Sequence, residues 1–114
     1  MHLDIQARGF SLTEFLLGAV EERAQDFLSA FPNLNPQIQV RLFDVNGNRG
    51  GVDKGCLLHA RLGRGRRTVV VSDVDRDMYR AIAAAFARLD HATRSQTRPR
   101  HRDRTSSLKL ATEN

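Results

Sequence analysis

The chain has a single cysteine, three prolines and few aromatic residues in 114 positions. Cys56 has no partner for an internal disulfide, which fits a reducing compartment. No apolar run approaches the roughly 20 residues of a membrane-spanning helix, and Met1-His2-Leu3-Asp4-Ile5 alternates where a secretory signal would carry an apolar core. The expected location is the cytoplasm. Gly47, Gly50 and Gly51 lack the Lys-Ser/Thr ending and the following helix of a phosphate-cradling loop. Cys56 and His59 lie close in sequence, but residues three apart on a strand point to opposite faces, so they form neither a nucleophile–base pair nor half a metal site. Asp73, Asp75 and Asp77 alternate like calcium-loop ligands, yet Met78 and Ala84 stand where such a loop needs glycine and a bidentate glutamate. No constellation for catalysis is left. The expectation is a binding protein, not an enzyme, with no cofactor, metal or small-molecule substrate.

What the chain does have is positive charge at one end. It carries 18 Lys+Arg against 13 Asp+Glu. Residues 1 to 87 hold 11 basic and 10 acidic side chains and residues 88 to 114 hold 7 and 3, so +4 of the net +5 falls in the last 27 residues. A basic end on a nearly neutral body favours a polyanionic partner. A membrane surface suits it less well than nucleic acid, because Ser95 to Arg104 offers no large apolar residue to insert beside its charges.

The length allows one domain with a single core. Leu3, Ile5 and Ala7 alternate with polar residues, which predicts a half-buried strand. Ser11 and Glu14 form a capping-box pattern flanked by Phe10 and Phe15, so a helix is predicted to begin at or just after Ser11 and to run until Phe31-Pro32-Asn33 stops it. Ile38, Val40 and Leu42 mark a second strand. Cys56, Leu58, Ala60 and Leu62 mark a third, with Leu57, His59 and Arg61 on its other face. Thr68 to Ser72 makes a fourth, and a second helix is predicted from about Asp75 to Ser95, with the aspartates capping it. On that helix Met78, Ile82, Phe86 and Leu89 form an apolar stripe, and the arginines gather opposite.

The order βαβββα predicts an α+β fold, a four-stranded sheet with two helices packed on one face and the other face wet. The wet face would present Asp4, Gln6, Gln39, Arg41, His59 and Arg61. An RNA-recognition motif needs βαββαβ order and aromatic residues on that face, and here it would hold Phe43 at most. The segment αβββα is the order of a double-stranded-RNA-binding domain. Candidate RNA contacts are Arg80, Arg88, His91, Arg94 and Arg98 on and beyond the second helix, Arg64, Arg66 and Arg67 at a turn, and Arg49 and Lys54 in a loop, since arginine bonds phosphate bidentately and stacks on bases. The turn arginines read equally as a solvated hairpin tip. Residues 98 to 114 are expected to be a disordered basic tail, either an arm that orders on RNA or a solubilising segment.

Asp77-Met78-Tyr79-Arg80-Ala81-Ile82, followed by Arg88-Leu89 and Arg94, resembles the second helix of the ribosome hibernation promoting factors and ribosome-associated inhibitors. Leu12-Thr13-Glu14 after Leu3-Asp4-Ile5-Gln6-Ala7 is similar to the family's first helix and strand, and the likeness runs over residues 1 to 97. The resemblance implies a domain that binds the small ribosomal subunit through ribosomal RNA, fills the channel used by messenger and transfer RNA, and inhibits translation in idle or stressed bacterial cells, as a monomer off the ribosome. Arg88 and Arg94 match basic positions of the family. His91 and Ser95 depart from them, the joint between the second and third strands is longer than in the shortest members, and the expectation is a short form without the dimerisation domain of the long members. A free-standing binder of double-stranded RNA and a protein-binding regulator of a sigma factor are the alternative readings.

Overall fold

The computed structural model describes residues 2–44, 53–63 and 67–97, with only the backbone of Gln96 and Thr97. Its elements are β1 (His2–Arg8), α1 (Glu14–Ala30), β2 (Gln37–Asp44), β3 (Lys54–Leu62), β4 (Arg67–Asp75) and α2 (Met78–Thr97). The strands form one sheet in the order β1-β2-β3-β4. β1 runs parallel to β2, which requires the α1 crossover, and the β2–β3 and β3–β4 pairs are antiparallel. This is the α+β, βαβββα arrangement that the sequence predicts.

Alternation decides which side of each strand meets the helices. Ile38, Val40 and Leu42 of β2 and Cys56, Leu58 and Ala60 of β3 are fully buried, and they are cross-strand partners in the register Ile38↔Ala60, Val40↔Leu58, Leu42↔Cys56. From above, α1 adds Leu16, Val20, Ala24 and Phe27, and α2 adds Met78, Ala81, Ile82, Ala85, Phe86 and Leu89. These α2 residues share one stripe at helical spacing. The alanines around them favour helix and let α2 approach the sheet closely. Truncating Ile82 or Leu89 to alanine would cost about 2–5 kcal/mol.

Several local expectations need correction. α1 is capped by Thr13, whose side chain accepts from the Leu16 amide at 3.2 Å, so Ser11 is not the cap and the Ser11–Glu14 box does not form. Phe15 is accordingly 81% exposed and cannot staple to Phe10. β4 is three residues longer than predicted at its C-terminal end, because Asp73 and Asp75 pair with Cys56 and Lys54 of β3. α2 therefore starts at Met78, not Asp75, with the Asp77 carboxylate accepting from the Tyr79 amide at 3.0 Å as an N-cap does. Asp73 caps nothing.

Candidate nucleic-acid interface

α2 sets the first candidate surface. At 100° per residue, the positions turned away from the buried stripe are Arg80, Ala84, Ala87, His91, Arg94 and Ser95, and Arg88 lies on the stripe's flank, beside Asp73 of β4. Arg80, Arg88, His91 and Arg94 are all exposed. They line about 21 Å of helix at 1.5 Å per residue, and the two alanines between them leave room for a phosphate backbone to come close. Arg80 and His91 form no ion pair among the described residues.

The other two arginines are held. Arg88 Nε donates to Asp73 Oδ2 at 2.8 Å, across 15 residues of sequence, and Arg94 Nε donates to Asp90 Oδ1 at 3.0 Å. Arg94 also lies over the Phe31 ring, 5.2 Å from its centroid, and Phe31 in turn packs on Phe27 at 5.0 Å. That cation–π contact joins the C-terminal ends of the two helices. Both carboxylates engage the Nε edge of the guanidinium, which fixes its plane while the terminal nitrogens remain on a largely solvent-exposed side chain. The Arg88 hydrogen bond holds the Asp73 carboxyl below its ordinary pKa, helped by the Val74 amide and opposed by partial burial.

Lys54 sits differently. Its ammonium lies 3.1 Å from Asp53 and 3.3 Å from Asp44, and Asp53 is buried. The hydrogen bond with Asp53, against some desolvation and with the Asp44 carboxylate in support, raises the Lys54 pKa above 10.5. Two carboxylates around one ammonium leave this corner without excess positive charge. Arg67 is exposed at the start of β4. Arg49, Arg64, Arg66 and Arg98 lie outside the described residues.

α1 has the opposite character. Glu14, Glu21, Glu22 and Asp26 are exposed along it with Arg23 as its single cation. The helix layer is thus acidic on one side and basic on the other.

The open face of the sheet follows from the register. Its rows read Asp4–Gln39–His59–Val70, Gln6–Arg41–Leu57–Ser72 and Arg8–Phe43–Gly55–Val74. Asp4, Gln6, Gln39, Arg41, His59 and Arg61 lie there as the alternation predicts. Apolar members share the face in a way the sequence pattern does not disclose, with Val70 at 55% and Val74 at 48% exposure. Phe43 leans across the neighbouring strand, so that a Cβ on Gly55 would collide with its ring. Cys56 faces the helices and His59 the open side, and burial pushes the Cys56 thiol up to about 12. Such a thiol is no nucleophile. No group of three or more His, Cys, Asp or Glu residues able to hold a metal occurs among the described residues, and none of their helices is long and apolar enough to cross a membrane.

The fold has relatives among solved structures. The N-terminal domain of Protein Y from Thermus thermophilus superposes with a TM-score of 0.71 at 20% identity, covering 84% of this chain and 99% of that one. A ribosomal subunit interface protein from Coxiella burnetii superposes with a TM-score of 0.70 at 14% identity, covering 86% of this chain and 100% of that one. The likeness is one of fold. No protein-family model and no curated protein matches the sequence. In both cases essentially the whole of the other chain is matched, so the βαβββα unit is shared entire.

Proposed function

We propose that the protein is a ribosome-associated factor that binds the small ribosomal subunit through ribosomal RNA, occupies the channel of messenger and transfer RNA, and inhibits translation in idle cells. The observation that carries this reading is the fold match to a ribosomal subunit interface protein, which covers the whole of that chain and 86% of this one. The motif resemblance along residues 1 to 97 points the same way, and α2 supplies a surface of suitable chemistry in Arg80, Arg88, His91 and Arg94. Arginines on a packed helix lose little entropy on binding, so α2 is assigned the main contact and Arg98 an auxiliary one. Lys54, already shared by two carboxylates, ranks last among the candidates, and Arg49, Arg64, Arg66 and Arg67 contribute long-range attraction.

A free-standing binder of duplex RNA is disfavoured by α1. A duplex lying across both helices would meet Glu14, Glu21, Glu22 and Asp26, and like charges repel it. Order of addition in a purified translation system tests the proposal. Added to small subunits before messenger RNA, the protein blocks initiation; added after the initiation complex has formed, it does not, because the channel is filled. Inhibition that is independent of the order would overturn channel occupancy. A second test is the salt dependence of subunit binding: with about five phosphates neutralised, log affinity falls against log salt with a slope of roughly −3.5 to −4.5.

A further inference from the structure

We propose that the open sheet face around Phe43 binds single-stranded RNA, with one base stacked on the Phe43 ring and the adjoining phosphates held by Arg8 and Arg41. The site is a shallow groove lined by Gln6, Arg8, Arg41, Phe43, Asp44 and Leu57. Three features of the structure converge there.

The first is the aromatic itself. Phe43 is half-buried on a face where every other strand residue is aliphatic, polar or charged, and its ring is seated over the Gly55 backbone, a close approach that only glycine allows. That seating fixes the ring in place before any ligand arrives. Leu57 and Val74 extend the apolar floor on either side of Gly55.

The second is the state of the cations. Arg8 is the direct register partner of Phe43, and Arg41 stands two residues before it on the same face, about 7 Å away at the strand rise of 3.3 Å per residue. Both are exposed, and neither forms an ion pair among the described residues, in contrast to Arg88, Arg94 and Lys54. The groove's one carboxylate, Asp44, is already satisfied by Lys54 at 3.3 Å. Free guanidinium groups flanking a fixed aromatic ring bind the alternating bases and phosphates of an unpaired strand.

The third is shape. Bases in a duplex are stacked on one another and show only their edges, so a ring lying in a groove can stack only on a base that is unpaired and splayed out. The excess of positive charge and the lone flat ring favour this ligand over a protein surface, which would bury the apolar residues but leave two arginines to be matched. The inference goes beyond the proposed function and does not depend on it, since the ligand is tested without ribosomes.

The test uses the full chain with a fluorescein-labelled oligoadenylate of about ten nucleotides, read by anisotropy at fixed salt, and the same strand annealed to its complement. The expected result is binding of the single strand that Phe43→Leu weakens by about tenfold, in line with the loss of one stacked base. The double variant Arg8→Gln, Arg41→Gln weakens it further, and Arg80→Gln leaves the Phe43 dependence unchanged. Phe43→Trp restores affinity and, as the chain has no other tryptophan, reports stacking directly through quenching of its fluorescence. Wild-type affinity in a folded Phe43→Leu protein would overturn the site, as would a duplex that binds with the same dependence on Phe43 or a Phe43→Trp protein whose emission RNA does not quench. If Phe43→Leu fails to fold, the quenching alone decides.

Discussion

Asp73 offers the sharpest test of how the α2 arginines work. Its carboxylate does two opposed things to a phosphate arriving at Arg88: it fixes the guanidinium through Nε at 2.8 Å, and it places a negative charge near the ligand. The width of the guanidinium plus a second hydrogen bond puts the phosphate about 6 Å from the carboxylate, where two unit charges in water repel by roughly 0.7 kcal/mol. Fixing the side chain is worth a similar amount, roughly 0.5–1.5 kcal/mol of rotamer entropy that need not be lost on binding. Two substitutions separate these effects. Asp73→Asn keeps an oxygen that accepts from Nε but removes the charge, so affinity for small subunits should rise about threefold. Asp73→Ala removes both, so the gain should disappear. Stability should fall by less than about 1 kcal/mol in either case, because the Arg88 side chain is largely exposed and such pairs are weak. Binding is read by anisotropy of dye-labelled protein titrated with isolated subunits. Equal affinities for the Asp73→Asn and Asp73→Ala proteins would refute the claim that the ion pair positions Arg88. Weaker binding by Asp73→Asn than by wild type would refute the claim that the Asp73 charge repels the phosphate.

Further outcomes follow from the same geometry. Since the Asp73 pKa is depressed in the folded state, its pair with Arg88 stabilises the fold fully above the ordinary carboxylate value of 3.8 and loses that contribution as pH falls through the lower folded value. The melting-temperature gap between wild type and Asp73→Asn should therefore be present at pH 7 and shrink on acidification below about pH 4. The Cys56 thiol, buried and shifted up to about 12, should not react with a thiol reagent at pH 8 until the protein unfolds, and Cys56→Ala should keep full ribosome binding with a modest loss of stability. Gly55→Ala should destabilise by about 1–3 kcal/mol through the collision with the Phe43 ring, and Phe43→Leu should relieve much of that loss in a denaturant-unfolding cycle.

The strand faces were legible because period-2 alternation alone separates Ile38, Val40 and Leu42 from Gln39 and Arg41. The apolar stripe of α2 was legible for the same kind of reason at period 3.6. Helix starts were less so. Ser11 and Thr13 both have cap chemistry, and only the end of β1 at Arg8 and the left-handed turn at Gly9 (φ +89) decide which of them meets a free amide. Asp73 and Asp75 look like helix caps in isolation, and the pairing with β3 that draws them into a strand is a long-range contact that no local pattern carries. The α2 arginines were visible as a cationic stripe, whereas their engagement by Asp73 and the stacking of Arg94 on Phe31 depend on elements brought together by folding. Alternation placed Leu57 on the open face beside His59 and Arg61, but the run Val69-Val70-Val71 is apolar on both sides, so its pattern does not say which valine takes that face, and Val74 lies beyond the predicted end of the strand.

Sedimentation of the purified protein with separated ribosomal subunits tests the central claim most directly. The wild-type chain should travel with the small subunit and not the large one. Arg88→Glu with Arg94→Glu should abolish this co-migration at salt concentrations where the equal-charge change Arg100→Glu with Arg102→Glu leaves it in place. A chain that stays at the top of the gradient with either subunit, or one that loses binding equally through both pairs, would contradict that claim.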